Sequence, residues 1–182
     1  MSDPDLRLLA QRVRGGDRAA YRILVDRTAQ PLFRLAARLL GNEADAEDAL
    51  QEAYVKAYRA LEGGRFDGRS EVRTWLYRIV TNAALDALRR RAVRPAGDDG
   101  PLAGLPDDGH ASPDARIALR ELDAWLGELP PDQRVAMVLC GVEGLSNAEA
   151  ADVLGVSAGA VEQRLVRARA TLRQKRGADD EA

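Results

Sequence analysis

Residues 144–169 have the sequence GLSNAEAADVLGVSAGAVEQRLVRAR, and this stretch carries the strongest local signals in the chain. Ser146 and Glu149 have the spacing of a capping box, in which the serine hydroxyl accepts a backbone amide and the glutamate accepts the serine amide. Gly155 can turn the backbone sharply because it has no Cβ. Ser157 can cap a second helix. The stretch therefore predicts two helices joined by a tight turn.

The second predicted helix has one apolar stripe and a broad polar face. Its stripe has spacings of three and four residues and predicts burial of Val161, Leu165, Ala168 and Leu172. On the shorter first helix, the same reasoning predicts an inward face of Ala148, Ala151 and Leu154. A short capped helix, a glycine turn and a longer helix form the helix-turn-helix pattern, whose second helix enters the major groove of DNA. An ordinary helical hairpin with solvated arginines has the same pattern and stays an alternative at this point.

Composition limits the classes of protein that the chain can represent. The 182 residues are 46% hydrophobic and 31% charged, with a net charge of −2, one cysteine and one histidine. Internal disulfides are excluded, and a zinc site with Cys and His ligands is unfavourable. There is no signal peptide and no long apolar run, so we expect a cytoplasmic protein without a membrane span. Residues 158–176 contain six basic side chains and one acidic one, which predicts a local surface for an anionic partner.

The chain is predicted to be all-α, with two small helical domains. Residues 94–114 contain four prolines, four glycines and five aspartates, which is typical of a flexible acidic linker. The linker separates a four-helix unit from the helix-turn-helix unit, and an acidic tail follows. These segments are 1–93, 94–114, 115–176 and 177–182. Helices are predicted at about 3–14, 43–61, 71–92, 115–127 and 132–142, followed by the helix-turn-helix pair. A further helix, capped by Asp17, continues to Leu39 with a break or kink near Pro31.

The third helix of the first unit carries an acidic surface that packing does not explain. Its first half is rich in acids, and the helix dipole favours acids in a first turn. Asp48 and Glu52 lie beyond that turn. Neither packing nor the helix dipole explains these two acids, so contact with a partner is the remaining interpretation.

The fourth helix presents a second such surface. Trp75, Arg78 and Asn82 share one face, Phe66 lies in the preceding loop, and Arg89, Arg90 and Arg91 extend the helix end. Aromatic, amide and guanidinium groups together can stack on and hydrogen-bond unpaired bases. A core tryptophan beside arginines that suit the helix dipole is an equally good interpretation of the residues alone.

Together these stretches resemble the bacterial RNA polymerase sigma factors, specifically the compact extracytoplasmic-function (ECF) group of the sigma-70 family. The resemblance rests on three stretches in one order: PLFRLAARLLGNEADAEDALQEAYVKAYRAL, RFDGRSEVRTWLYRIVTNAALDALRRR and ELPPDQRVAMVLCGVEGLSNAEAADVLGVSAGAVEQRLVRARATLR. The first two look like the region-two domain and the third like the region-four domain. The resemblance implies a promoter-specificity subunit, not an enzyme, that binds core polymerase, recognises the minus-ten and minus-thirty-five elements and promotes strand opening.

The resemblance also implies roles for individual residues. The face of Asp48, Gln51 and Glu52 would dock on the clamp helices of the largest polymerase subunit. The Phe66 loop and Asn82 would capture a base flipped from the minus-ten element, with Trp75 and Arg78 beside them on the same DNA-binding surface. The minus-thirty-five element would be contacted by Glu162, Gln163, Val166 and Arg167, with Arg164 and Arg169 on phosphates.

Two positions depart from the family pattern. Ala160 stands where relatives often have a threonine, so it cannot supply a hydroxyl contact. Glu162 stands where a basic residue is common; a glutamate can accept from a cytosine amino group but repels phosphate. Both departures leave the pattern of DNA contacts open.

The remaining partners implied are the polymerase flap region, promoter DNA and an anti-sigma protein. No cofactor, metal or small-molecule substrate is expected. The linker could thread the polymerase cleft or act as a solvated spacer. An alternative function is a helix-turn-helix regulator that binds DNA without joining core polymerase, although such a regulator has no use for the acidic face. A helical hydrolase or transferase is unfavourable because no catalytic constellation of residues is present.

Overall fold

The computed structural model describes residues 3–68, 70–93 and 121–179, and within these ranges the chain forms helices and no strand. This confirms the predicted all-α class. The helices are α1 (Asp3–Arg14), α2 (Arg18–Leu40), α3 (Glu43–Glu62), α4 (Val72–Val93), α5 (helical over the described residues 121–127), α6 (Pro131–Met137), α7 (Asn147–Leu154) and α8 (Ala158–Asp179).

Helices α1 to α4 pack against one another as the predicted four-helix unit. Local signals set their ends: the Asp17 carboxylate accepts the Ala20 amide at 3.0 Å and caps α2. The core is built from leucine and alanine, with Leu24, Leu35 and Ala57 completely buried. Small alanines let these helices approach closely, so a core forms although aromatic residues make up only 4% of the chain.

Helix α2 continues through Pro31, so of the break or kink predicted near this residue, the break was wrong. Proline has no amide hydrogen, and one helical hydrogen bond is lost. Leu24 before the proline and Leu32 and Leu35 after it are all buried in the same core. Packing on both sides of Pro31 therefore keeps the 23-residue helix continuous.

The helix-turn-helix prediction is confirmed for its caps, its glycine turn and the apolar stripe of its second helix. The capping box is formed, because the Ser146 amide donates to Glu149 Oε2 at 2.8 Å and the Glu149 amide donates to Ser146 Oγ at 3.2 Å. Gly155 ends α7 with φ +65°, in the left-handed region that favours glycine. The Ala160 amide donates to Ser157 Oγ at 3.2 Å. Along α8, Val161, Leu165 and Ala168 are buried and Leu172 is half-buried.

The inward face of α7 differs from the prediction. Ala148 is exposed and Leu154 is half-buried, whereas Ala150, Ala151 and Val153 are buried. The reason is that α7 contacts both α8 and α4, so it buries residues toward two neighbouring helices instead of one.

The second predicted helix of the C-terminal unit ends differently from an ordinary α-helix. Helix α6 continues into a π-helical turn, Val138–Val142, which is closed by the Glu143 amide donating to the Val138 carbonyl at 2.9 Å. A π-turn adds one residue to a helical turn and so redirects the residues that follow it. It places Glu143 at the surface where the two units meet.

The two units pack on each other, which the sequence did not predict. Helix α7 contacts α4, and α6 contacts α2 and α4. The predicted linker over 94–114 lies outside the described residues, as does the predicted acidic tail from residue 180 onward.

Candidate nucleic-acid and protein interfaces

The acidic face of α3 (Asp48, Gln51 and Glu52) lies on the surface of the first unit. Asp48 and Gln51 are exposed, and Glu52 is half-buried. Lys56 Nζ lies 2.7 Å from one oxygen of Glu52, and the Arg90 guanidinium of α4 lies 3.5 Å from the other. The hydrogen bond from Lys56, assisted by Arg90, lowers the pKa of Glu52. Asp48 has no ion-pair partner within the part of the chain that the structure describes, so its charge is available to a partner.

The arginines at the end of α4 do not simply extend the surface of Trp75, Arg78 and Asn82, as the sequence suggested. Arg90 contacts Glu52 and Arg91 lies 3.8 Å from Asp45, so both turn toward α3. Arg89 pairs with Asp86 at 2.9 Å on its own helix. The two pairs with α3 could not be predicted from the sequence, because Glu52 and Asp45 lie far from Arg90 and Arg91 in the chain.

Two of the four residues predicted to bind the minus-ten element, Phe66 and Trp75, are in contact with each other. The rings of Phe66 and Trp75 pack with their centroids 4.7 Å apart and their planes tilted by 44°. Trp75 and Arg78 are half-buried, whereas Asn82 is exposed one turn further along α4. Trp75 packs against the core and also contacts Phe66 in the loop. The interpretation as a core tryptophan and the interpretation as part of a base-binding surface therefore each describe part of its surroundings.

The Phe66 loop also borders a cavity of about 200 Å³ that sequence analysis did not find. Gly64, with φ +66°, lies between the end of α3 at Glu62 and the Phe66 loop. Helix α1 forms the opposite wall with Arg7, Gln11 and Arg14. Polar residues on α1 resemble an ordinary solvated face, so no signal in the sequence marks this wall.

The exposed face of α8 contains most of the predicted duplex-reading residues. Glu162, Gln163, Val166, Arg167 and Arg169 are exposed, and the Val166 side chain is an apolar group in the middle of this polar face, with 59% of its surface accessible. At 100° per residue, Arg167 and Arg169 lie on opposite margins of the face, about 160° apart. An apolar centre with flanking guanidinium groups suits contact with thymine methyl groups and phosphates.

Arg164 differs from the other predicted DNA-contacting residues. It is half-buried, and its Nε lies 3.9 Å from a carboxylate oxygen of Asp132 on α6. The Arg164 side chain is therefore directed toward α6. To contact a phosphate, it must reorient and give up its ion pair with Asp132.

Among residues 3–68, 70–93 and 121–179 there is no group of three or more side chains suited to hold a metal ion. Within the same ranges, no helix combines the length and apolar character needed to cross a membrane.

Both parts of the chain match known protein families. Residues 24–94 match the family described as Sigma-70 region 2, and residues 119–172 match Sigma-70, region 4. The chain is 40% identical over 169 residues to the ECF RNA polymerase sigma factor SigE of Mycolicibacterium smegmatis. That alignment covers 87% of this chain and 63% of the relative, so the chain spans less than two thirds of that relative's length.

Two solved structures are similar over most of the chain. The structure of CnrH in complex with the cytosolic domain of CnrY has a TM-score of 0.71 and 33% identity, covering 96% of this chain and 99% of that one. CnrH is an RNA polymerase sigma factor of Cupriavidus metallidurans, and it is 37% identical over 187 residues, 96% of each chain. The sigma factor RpoE of Bartonella quintana, in complex with the anti-sigma factor NepR, has a TM-score of 0.67 and 26% identity, covering 85% and 94%.

Proposed function

The chain belongs to the ECF sigma factors of RNA polymerase, and on that basis we propose which of its surfaces carries out each step of promoter-specific initiation. A sigma factor is a transcription initiation factor that binds core polymerase and promoter DNA. The observation that carries this function is that matches to region 2 and region 4 lie in one chain, in family order. We further infer that it has no enzymatic activity of its own and acts in the cytoplasm.

The proposed domain organisation follows the sequence. Residues 1–93 form the region-two domain for core docking, minus-ten recognition and melting. Residues 94–114 form a linker, 115–176 the region-four domain and 177–182 an acidic tail. Formation of the predicted helices within the described parts of 1–93 and 115–176 supports this division.

The acidic face of α3 is the proposed docking site for the clamp helices of core polymerase. Its support is that Asp48 is exposed and has no ion-pair partner among the described residues, and that it lies beside Gln51 and the partly neutralised Glu52. Lys56 and Arg90 hold the Glu52 carboxylate in place before docking, so a partner's basic groups would compete with Arg90 for it. The flap region of the polymerase is the proposed contact of the region-four domain.

The proposed minus-ten reader consists of Phe66, Trp75, Arg78 and Asn82. The Phe66–Trp75 pair provides aromatic surface on which a flipped base can stack, and exposed Asn82 can hydrogen-bond its edge. Arg78 lies close to the same face and can neutralise a phosphate. The proposed minus-thirty-five reader is the exposed face of α8, from Glu162 to Arg169, where only Arg164 must reorient.

We also infer that a dedicated anti-sigma protein binds this chain. Its support is that a relative with a similar structure is held by the anti-sigma factor NepR. Which surface such a protein would cover is a separate question from promoter recognition.

Transcription in vitro tests the proposed function. Purified core polymerase with this chain should start transcription at defined sites on a genomic fragment library, and core polymerase alone should not. Equal transcription with and without the chain would contradict the proposal.

A further inference from the structure

Helix α1 lies beside the Phe66 loop, which comprises residues 63–71 between α3 and α4. The helix is firmly packed on the four-helix unit, because Leu6 and Leu9 are buried in its core. It precedes residues 24–94, which match Sigma-70 region 2, so the family match assigns it no role. A fixed helix without an assigned role therefore borders the loop that is proposed to capture a flipped base.

Two arginines of α1 reach the two ends of this loop. Arg7 and Arg14 are seven residues apart, so they lie on the same side of the helix, about 10 Å apart along its axis. Arg7 NH2 donates to Glu71 Oε1, and about half of each side chain remains exposed. The Arg14 guanidinium lies beside Gly64, since a Cβ at Gly64 would be 3.8 Å from Arg14 Nε. Side chains of α1 thus lie against the loop near its start and at its end.

The two ends of the loop are held in different ways. At the α3 end, the Arg65 amide donates to the Ala60 carbonyl at 2.8 Å, which is a bond within the backbone. At the α4 end, the Glu71 side chain pairs with Arg7, which belongs to neither of the helices that the loop connects. Substitution can remove this pair without changing a backbone hydrogen bond.

The middle of the loop borders unfilled space. Phe66 lines the cavity of about 200 Å³ whose opposite wall is α1, and Trp75 is not among its lining residues. Protein interiors are normally close-packed, so packing alone does not fix a side chain beside such a space. Phe66 has room to move toward α1, and this movement would separate its ring from the Trp75 ring, now 4.7 Å away between centroids. A contact that joins the loop to α1 therefore influences which position Phe66 adopts.

We propose that the ion pair between Arg7 and Glu71 positions the Phe66 loop for recognition of the minus-ten element. Arg7 is a positioning residue: it keeps Phe66 against Trp75, where the two rings form the surface for a flipped base. This rests on the proposed function, since it concerns how the proposed minus-ten reader is held in place. Partly exposed ion pairs contribute up to about fivefold to an equilibrium, and reversal of one charge adds repulsion.

Charge reversal on each side of the pair tests the proposal in the complex of core polymerase with the full chain. The variants are Arg7→Glu, Glu71→Arg and the exchanged pair that combines them. The probe is a pool of single-stranded oligonucleotides with randomised positions, sequenced before and after selection by the complex. Each single variant should lower the preference for the favoured base at one position by about two- to fivefold. The exchanged pair should restore the preference to within about twofold of wild type.

The direction of these changes distinguishes positioning from direct contact with DNA. Arg7→Glu adds negative charge and Glu71→Arg adds positive charge, so direct attraction of phosphates would change the overall affinity in opposite directions. A positioning pair predicts lower base preference in both. Arg27→Glu is the matched control, because Arg27 forms a similarly exposed ion pair, 3.8 Å long, with Asp5 of α1. It should keep the wild-type base preference.

A second measurement reports on the loop without DNA. The chain has two tryptophans, so Trp125→Phe leaves Trp75 as the single fluorophore of this kind. Trp75 is half-buried beside Phe66, and movement of the Phe66 ring should expose it to the quencher acrylamide. Quenching should increase in Arg7→Glu and in Glu71→Arg and return toward the parent value in the exchanged pair. Circular dichroism checks folding, and Arg7→Gln and Glu71→Gln replace any reversal that loses helix signal.

Three outcomes would overturn the positioning role: unchanged base preference in both single variants, unchanged Trp75 quenching in both, or an exchanged pair no closer to wild type than the single variants. An equal loss of preference in Arg27→Glu would overturn it as well, since the effect would then belong to α1 in general. The proposed function is measured by the wild-type complex alone. Failure of that complex to start transcription would refute the proposed function, whereas normal transcription with equal preferences in all variants would refute the positioning role alone.

Discussion

Charge reversal at Asp48 and Glu52 tests the proposed docking face of α3. The double variant Asp48→Lys with Glu52→Lys should abolish binding to core polymerase and leave the fold intact. The fold should survive because Asp48 is exposed and the Glu52 side chain keeps 37% of its surface accessible. Neither residue contributes to the buried core.

The expected magnitudes separate folding from binding. Glu52 would lose its pairs with Lys56 and Arg90, and partly exposed pairs of this kind contribute about 0.2–1 kcal/mol each. Truncation of a charged group that is paired and buried in an interface costs about 2–5 kcal/mol. That range corresponds to about 30-fold to about 5,000-fold in affinity, and reversal of two charges adds repulsion. Binding should therefore fall by more than a thousandfold while the free energy of unfolding falls by about 0.4–2 kcal/mol.

The assay is fluorescence anisotropy of labelled chain titrated with core polymerase, together with thermal unfolding by circular dichroism. Asp26→Lys with Glu121→Lys is the matched control, since it changes the net charge equally at exposed positions outside α3. The control should bind within a few fold of wild type. Equal affinities for the docking variant and the wild type, with both folded, would refute the assignment of this face.

Three further predictions follow from the other surfaces. Asn82→Ala should reduce open-complex formation in permanganate footprinting and relax the base preference at one minus-ten position. Unchanged base preferences in both Asn82→Ala and Phe66→Ala would show that other residues recognise the minus-ten element. The two arginines of α8 are compared by binding of the full chain to a randomised duplex pool at two salt concentrations. Arg167→Ala should relax base specificity by about 1–3 kcal/mol at one or two positions, whereas Arg169→Ala should weaken binding to all sequences and lower the salt slope by about one. Uniform weakening of binding by both variants would show that neither arginine reads bases. The hydrogen bonds of the capping box lower the pKa of Glu149, so the stability that this carboxylate contributes is present above about pH 4.5 and is lost as the pH falls through the lower folded pKa. Thermal unfolding between pH 6 and pH 3 should therefore show a smaller loss of stability in Glu149→Gln than in the wild type. Identical pH dependence of the two proteins would contradict this.

Local sequence signals predicted the helices well because they act over a few residues. Asp17 lies three residues from the amide it caps, and the capping box of Ser146 and Glu149 is equally local. The stripe on α8 was also predictable, since a helix that buries one face needs apolar residues at that spacing. Pro31 shows the limit of such reasoning, because burial of residues on both sides of it outweighs one missing hydrogen bond.

Contacts between distant residues could not be predicted from the pattern. Arg90 and Glu52 are 38 residues apart, and Tyr77 and Glu143 are 66 apart. No periodicity records which of many surface arginines will meet a given carboxylate. The sequence therefore indicated which helices carry acidic and basic faces, whereas the pairing on α3 and the closed packing of the two units required the structure.

We propose that this chain directs core polymerase to promoters with two recognisable elements. Sequencing the 5′ ends of transcripts made by core polymerase and this chain on a genomic fragment library tests the claim most directly. We expect start sites that are absent with core polymerase alone, each preceded by two shared elements near positions minus ten and minus thirty-five. Start sites that share no upstream element, or that are the same with and without the chain, would contradict it.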